Sequence, residues 1–400
     1  MSPVLKVLVV ADFGLNERTG GYSRNLEVLR RLSKRVELVV FPSTRNLALS
    51  SRTEKQLRDT LDQVGGEVHE LAEPLIGEEF DSREEVLSRI PRREENYDVI
   101  YVYGNSWPEL EIARRLRGKA PVGVQLQLEP FYREVSTLLR IKLRGPTCTA
   151  LPRLKRALLE SEEERRGWLR AIAEGGLNFI LSVSSTPLKF SGLDSLTSWE
   201  VIRPANAFNG VPNYDKEDYA IYFTRLIPEK GVFEVPLIWR EVNRRRDLKL
   251  YVVGKFQYRE DEEAFLKMSE RFKVNLEYLG FKEGKELFDL ISKARVTVYP
   301  SHYDSFSMVV LESLSLGTPV VAYGTPAIRE VYSRLPEVRV VREDEIKEMA
   351  REVVSILGKE KVGTSHKTQE FLREHSSWEK VVEAELKLLR RFSINRGVNP

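Results

Sequence analysis

The most informative polar pair in the sequence is Asp304 and Glu312, two carboxylates eight residues apart. They stand in YPSHYDSFSMVVLESLSLGTPVVAYG, where a strand ends at Pro300, a loop carries Asp304 and a helix begins near Ser307. One carboxylate on a loop and one inside a helix cannot share a proton as a dyad does, so each must touch a different part of one long ligand. A carboxylate accepts two hydroxyl hydrogen bonds, so one of the pair can read a ribose diol and the other a sugar diol. Between them, the N–H groups of Phe306, Ser307 and Met308 open the helix, and unpaired N–H groups at a helix start attract phosphate. Upstream, YFTRLIPEKGV presents Arg225 and Lys230 five residues apart after a strand, where ligands gather in open α/β sheets. A guanidinium and an ammonium at that point can neutralise a diphosphate without a metal ion. Near the start, Gly20 and Gly21 precede a helix whose inner face is Tyr22, Leu26, Leu29 and Leu32, and a glycine pair there lets an anion approach bare backbone.

Other chemistries lack their residues. No GxxxxGK[ST] is present, because the Gly-Lys pairs at 118, 254, 284 and 358 are never followed by Ser or Thr. No GxGxxG follows the first strand, which argues against a dinucleotide oxidoreductase, and no strand-end Asp-x-Asp is available to hold a divalent ion against a nucleotide diphosphate. The single cysteine, Cys148, forbids an intrachain disulfide and a thiolate cluster, and His69, His302, His366 and His375 form no metal-binding spacing. His302 lies close to Asp304 but reads as a solvated loop residue. No cofactor and no metal are expected.

Of the 400 residues 42% are apolar and 31% charged, with 63 basic against 60 acidic residues, for a net +3. That balance does not point to nucleic acid. No segment approaches the roughly 18 uncharged apolar residues of a membrane span, and the first residues do not read as a signal peptide, so a cytoplasmic protein is expected. High charge with little Cys, Met and Gln suits a heat-adapted protein. From Phe131 to Leu159, Arg133, Arg140, Lys142, Arg144, Arg153, Lys155 and Arg156 face only Glu134. With leucines interleaved, this stretch reads either as a solvated helical face or as a patch contacting anionic lipid or a lipid-linked acceptor at the membrane surface.

The elements that must position these groups are short β-branched runs alternating with helical patterns, which fold as parallel sheets covered by helices, an α/β class. The first half has strands at 4–10, 36–41, 99–103, 122–126 and 179–183; the second has them at 220–223, 249–253, 274–279, 296–299, 319–322 and 338–341. Runs such as KVLVV and LYVVG suit strands buried on both faces. Between the halves PANAFNGVPN is rich in residues that interrupt regular structure, and it marks the boundary of a first domain, 1–205, and a second, 206–378. Residues 379–400 complete a terminal helix with Trp378, Val381, Val382, Leu386, Leu388 and Leu389 at helical spacing.

Taken together, the R-L-x-P-E-K-G element, the VVG at Val252 to Gly254, the LGF at Leu279 to Phe281 and the acidic-x7-Glu block running into GTPVVA make residues 219–335 resemble the family 4 retaining glycosyltransferases of the GT-B fold. The glycine pair and the Ser-Trp-Glu ending extend the likeness. It implies two Rossmann-like domains with a cleft between them and a last helix crossing back to the first. It also implies a nucleotide-sugar donor such as a UDP-, GDP- or ADP-sugar, and a lipid-linked, small-molecule or polysaccharide hydroxyl acceptor. Arg225 and Lys230 would hold the donor diphosphate, Gly20 and Gly21 would back it, Gly254 and Ser305 to Met308 would line it, Glu312 would take the ribose and Asp304 the transferred sugar. In such enzymes the leaving diphosphate takes the acceptor proton on the face it departs from, which retains configuration. Three features depart from the family pattern: Asp304 replaces a glutamate, Ser305 and Ser307 replace glycines, and VQLQLEPF lacks the usual histidine. Gln127 is the best match to that histidine beside Gln125 and Glu129, with Tyr101, Tyr103 and Asn105 on the preceding strand; Tyr103, Asn105 and Gln127 are the acceptor-side candidates. A catalytically silent nucleotide-sugar-binding scaffold and a metal-free nucleotide-sugar epimerase are the competing readings.

Overall fold

The computed structural model describes residues 4–15, 20–358 and 363–394. The chain divides into two units, one of residues 1–133, 160–207 and 377–400, the other of 134–159 and 208–376.

In chain order the first unit contains β1 (Lys6–Ala11), α1 (Gly20–Leu32), β2 (Glu37–Pro42), α2 (Thr44–Val64), β3 (Glu67–Val68), α3 (Arg83–Ser88), β4 (Val99–Tyr103), α4 (Trp107–Leu116) and β5 (Val122–Leu126). α5 (Val135–Lys142) and the first half of α6 (Thr147–Ala173) belong to the second unit, and the first unit resumes with the rest of α6, β6 (Phe179–Ser182), α7 (Thr186–Ser191) and β7 (Ser198–Val201). The seven strands form one parallel sheet in the order β3-β2-β1-β4-β5-β6-β7. β4 and β5 are buried along their whole length, as expected of strands covered by helices on both faces. The short strands β3 and β7 were not foreseen: two residues carry no periodicity, and SWEV is largely exposed at the sheet edge.

The second unit continues with β8 (Tyr219–Phe223), α8 (Val235–Asn243), β9 (Lys249–Val253), α9 (Arg259–Phe272), β10 (Leu276–Tyr278), α10 (Gly284–Lys293), β11 (Val296–Tyr299), α11 (Met308–Ser315), β12 (Val320–Tyr323), α12 (Pro326–Val331), β13 (Val338–Val341), α13 (Ile346–Leu357) and α14 (His366–Glu374). Its parallel sheet runs β10-β9-β8-β11-β12-β13. One face packs Ala220, Tyr222, Val252, Val298 and Val321 against α8 and α13 through Ile238, Trp239, Met349 and Val353. In both sheets the strand order reverses beside the first strand, between β1 and β4 and between β8 and β11. Loops at the carboxyl ends of strands flanking such a reversal diverge, and ligands of open α/β sheets bind in the crevice they leave.

The terminal helix α15 (Trp378–Ile394) belongs to the first unit, where Val381, Val382, Leu386 and Leu389 are buried. Phe392 stacks on Phe179 at 4.1 Å between ring centroids. One polar residue on its inner face is also buried: Glu385 receives a hydrogen bond from Arg24 Nη2 at 2.8 Å and another from the Tyr103 hydroxyl at 2.5 Å.

Candidate functional site

The β8/β11 reversal of the second unit assembles most of the donor-side residues. Two loops meet there because Gly231, with φ +77°, lies so close to Pro300 that a Cβ would sit 2.0 Å from the Pro300 carbonyl oxygen. Only glycine allows both the backbone angle and the approach. The His302 N–H donates to the Glu229 carbonyl at 2.9 Å, fixing the same pair of loops. Gly254 plays a similar part at the end of β9, where φ is +146° and a Cβ would lie 1.9 Å from the Thr224 carbonyl oxygen.

This packing brings Lys230 to Asp304. The ammonium donates to Asp304 Oδ1 at 2.8 Å, to the Tyr303 carbonyl at 2.8 Å and to the Tyr299 hydroxyl at 3.3 Å. All three of its donors are therefore engaged. Tyr299 also donates to Asp304 Oδ1 at 3.0 Å, whereas Asp304 Oδ2 is buried with no hydrogen-bond partner among the described residues. A buried carboxylate oxygen left without a donor is costly, and a ligand hydroxyl would satisfy it. Arg225, by contrast, is exposed and makes no ion pair among the described residues.

Glu312 sits inside α11, on the helix that starts just after Asp304. The residue is half-buried with its carboxyl turned inward, and burial alone pushes its pKa up to about 7, since no cation among the described residues offsets the desolvation. The first turn of α11 has no side-chain cap and no acidic residue, so the N–H groups that the sequence reading assigns to phosphate face no competing carboxylate on their own helix. The Phe306 side chain points elsewhere, packed against Tyr332 and His375 at 5.7 and 5.5 Å between ring centroids, so that only its backbone is available to a ligand. Ser305 is buried and lies 3.3 Å from the Tyr303 hydroxyl. Ser307 holds φ +70° and ψ 87° at the N-cap. A left-handed conformation costs a non-glycine residue about 1–2 kcal/mol, which accounts for the preference for glycine in this loop. Glycine adds back roughly 0.5–1 kcal/mol through its greater freedom when unfolded, so Ser307→Gly is expected to stabilise by up to about 1 kcal/mol and raise the thermal midpoint. A clear drop in the midpoint would mean that the hydroxyl holds the loop.

His302 corrects the sequence reading. It is not solvated but 1% exposed, with Nε2 3.0 Å from Glu234 Oε1 and Nδ1 3.5 Å from Glu343 Oε2. Burial opposes its charge, but the hydrogen bonds to Glu234 and Glu343 outweigh burial, and its pKa is raised. Glu234, His302 and Asp344 bring ligand-type atoms within 4.8 Å of one another. The Arg144 guanidinium already bridges Glu234 at 3.0 Å and Asp344 at 2.9 Å, so this acidic group is neutralised by the protein's own cation.

Arg144 belongs to the basic stretch that the sequence read either as a solvated helical face or as a patch contacting anionic lipid. Arg140 pairs with Glu343, Lys142 with Glu229 at 2.8 Å and Arg153 with Asp261 at 2.6 Å, all within the second unit. These cations, four of the seven in the stretch, hold α5 and the start of α6 on the unit's own acids. Residues 134–159 accordingly group with the second unit, although the sequence reading put them in the first domain. Among the described residues, no helix is long and apolar enough to cross a membrane.

In the first unit, the acceptor-side candidates do not share one environment. Tyr103 is fully buried with its hydroxyl on Glu385, a core position rather than a ligand-facing one. Asn105 is half-buried, and its carbonyl accepts from Trp168 Nε1 at 3.2 Å. Gln127 Nε2 donates to Asn25 Oδ1 at 2.6 Å and to Gln125 Oε1 at 3.1 Å, and Asn25 donates to the Asp12 carbonyl at 3.1 Å. Gln127 thus lies in a polar cluster at the carboxyl ends of β1 and β5. Asp12 and Asn25 escaped the sequence reading because neither belongs to a motif; the end of the first strand was the one available signal. Gly20 and Gly21 are the first residues of α1 rather than preceding it, and residues 16–19 ahead of them lie outside the described residues.

Residues 205–374 match the glycosyl transferases group 1 family, so this segment carries a group 1 glycosyltransferase domain. An uncharacterized glycosyltransferase of Methanocaldococcus jannaschii is 30% identical over 34% of this chain and 34% of its own length. O-antigen chain mannosyltransferase B of Escherichia coli is 39% identical over 14% of the chain and 15% of its own length. The chain therefore spans about a third or less of these curated relatives. Among solved structures, HepE from Anabaena in complex with UDP is similar over 97% of this chain and 100% of its own, with TM-score 0.65 and 14% identity. Sucrose-phosphate synthase from Thermosynechococcus elongatus is similar over 96% and 98%, with TM-score 0.63 and 14% identity. These likenesses establish the fold: two parallel-strand sheets with flanking helices, the GT-B architecture expected from the sequence.

Proposed function

We propose that the protein is a retaining glycosyltransferase that moves a sugar from a nucleotide-sugar donor to a hydroxyl acceptor and uses protein cations to bind the donor diphosphate. The observation that carries this reading is the pair Asp304 and Glu312. One has a buried oxygen without a donor, the other has a desolvated carboxyl without a cation, and the uncapped start of α11 lies between them. That set offers acceptors for two groups of hydroxyls and N–H donors for phosphate, which is the inventory of a nucleotide sugar. The match of residues 205–374 to group 1 glycosyltransferases supports the same chemistry, and the UDP bound by HepE is one example of a ligand such folds hold.

In this reading Glu312 accepts both ribose hydroxyls, Asp304 Oδ2 accepts a hydroxyl of the transferred sugar, and Arg225 with Lys230 stabilises charge on the departing diphosphate. Lys230 must release one present partner to do so; the Tyr299 hydroxyl, at 3.3 Å, is its longest contact. The departing diphosphate takes the acceptor proton. Gln127 and the polar cluster around it serve the acceptor.

Glu312 makes the reading testable through pH. Its pKa of about 7 means that the carboxyl is largely neutral at pH 6, whereas accepting two hydroxyl bonds requires the ionised form. Of UDP, GDP and ADP, at least one is expected to bind in calorimetry, about tenfold more weakly at pH 6 than at pH 8. Glu312→Gln should remove that part of the dependence. If none of the three binds at millimolar concentration, the reading fails; if one binds but no nucleotide sugar releases its sugar on prolonged incubation, the protein is a silent scaffold.

A further inference from the structure

At the opposite edge of the second unit's sheet, beneath the amino ends of β11, β12 and β13, lies a cavity of about 600 Å³. That volume is within the range of small-molecule sites. None of Arg225, Lys230, Asp304 or Glu312 lines it. Its charged residues are Lys216, Arg295, Arg339 and Glu337, three cations against one acid. The acid is already committed: Glu337 accepts from the Ser365 N–H and hydroxyl and from Thr368, which secures the start of α14.

The cations are differently placed. Lys216 is half-buried and donates to two neutral oxygens, the Ser292 carbonyl at 2.6 Å and the Thr318 hydroxyl at 2.9 Å. An ammonium has three donors, so one remains for a ligand. Burial lowers its pKa to about 8 with no carboxylate opposing the shift, which marks a charge held in the wall of the cavity without a counter-ion among the described residues. Arg295 gives one N–H to the Leu357 carbonyl at 3.2 Å, and Arg339 is half-buried on β13. Leu314, Pro319, Pro336 and Ile356 supply apolar wall between them.

We propose that this cavity is a second binding site, for a small amphiphilic anion whose carboxylate or phosphate monoester head rests on Lys216 with Arg295 and Arg339, and whose apolar body lies against Leu314, Pro319, Pro336 and Ile356. Its lining holds a single carboxylate, Glu337, already committed to Ser365 and Thr368, rather than the two carboxylates of the first site. Inorganic phosphate satisfies the head alone and octanol the body alone.

The full chain is titrated with octyl phosphate and octanoate, with inorganic phosphate and octanol as controls, by calorimetry and thermal shift in the absence of nucleotide. At least one amphiphilic anion is expected to bind saturably, and both controls at least about tenfold more weakly. Lys216→Met should weaken binding about ten- to a hundredfold, the range of one charge-assisted hydrogen bond. Arg339→Gln, at a position that holds no other element, should weaken it about tenfold and keeps the test open if the lysine variant does not fold. The proposal is overturned if neither amphiphile binds, if a control binds as tightly, or if Arg339→Gln and any folded Lys216→Met leave the affinity unchanged. Because no nucleotide is present, either result is independent of the activity proposed above.

Discussion

Glu385→Ala is expected to destabilise the first unit by about 3–5 kcal/mol, the range found when one partner of a buried ion pair is removed. The Arg24 side chain is fully buried, as is that of Glu385, and the two meet at 2.8 Å. Burial opposes the charge on Arg24, and Glu385 more than compensates, leaving the guanidinium's pKa raised. Without the carboxylate, Arg24 keeps its charge inside the core with only the Ala205 carbonyl, at 2.8 Å, as a hydrogen-bond acceptor among the described residues. The Tyr103 hydroxyl loses its acceptor as well. Chemical denaturation of the variant measures the loss. The double variant Arg24→Met with Glu385→Leu is expected to be more stable than Glu385→Ala alone, because no unpaired charge remains. A single-variant loss below about 1 kcal/mol would show that water reaches the pair.

Lys230→Ala is expected to lower kcat/KM for sugar transfer by about 10²–10³-fold, the scale of removing one preorganised charge from a developing anion. Two effects combine. On the function proposed above the departing diphosphate loses a cation, and Asp304, buried with one oxygen already lacking a donor, loses its ion-pair partner. Arg225→Ala is the cleaner companion, because that side chain is exposed and without an ion pair among the described residues. Its removal should weaken nucleoside diphosphate binding and leave thermal stability unchanged. If both variants transfer sugar within about twofold of the parent, the diphosphate is not held by these cations.

The alternation of buried strands and helices was legible because every central strand is a short, largely apolar run. Five strands, Val99–Tyr103, Val122–Leu126, Lys249–Val253, Val296–Tyr299 and Val338–Val341, begin and end where the sequence reading put them. The edge strand Ser198–Val201 was not legible, because half-exposed residues at an edge carry no apolar signature. At the site, local chain geometry was readable: Asp304 on a loop and Glu312 on the following helix.

The sequence by itself determined the residue types, their spacing and the alternating elements, since these depend on interactions between near neighbours in the chain. Tertiary structure alone decided which groups met. Lys230 lies 74 residues from Asp304, Tyr103 lies 282 from Glu385, and Arg144 lies 90 and 200 from its two acids. No periodicity encodes such pairings, because each depends on which loops a sheet reversal brings together and on which polar groups packing removes from water. That is why Tyr103 proved to be a core residue, His302 a buried one, and four cations of the basic stretch to be paired with acids of their own unit.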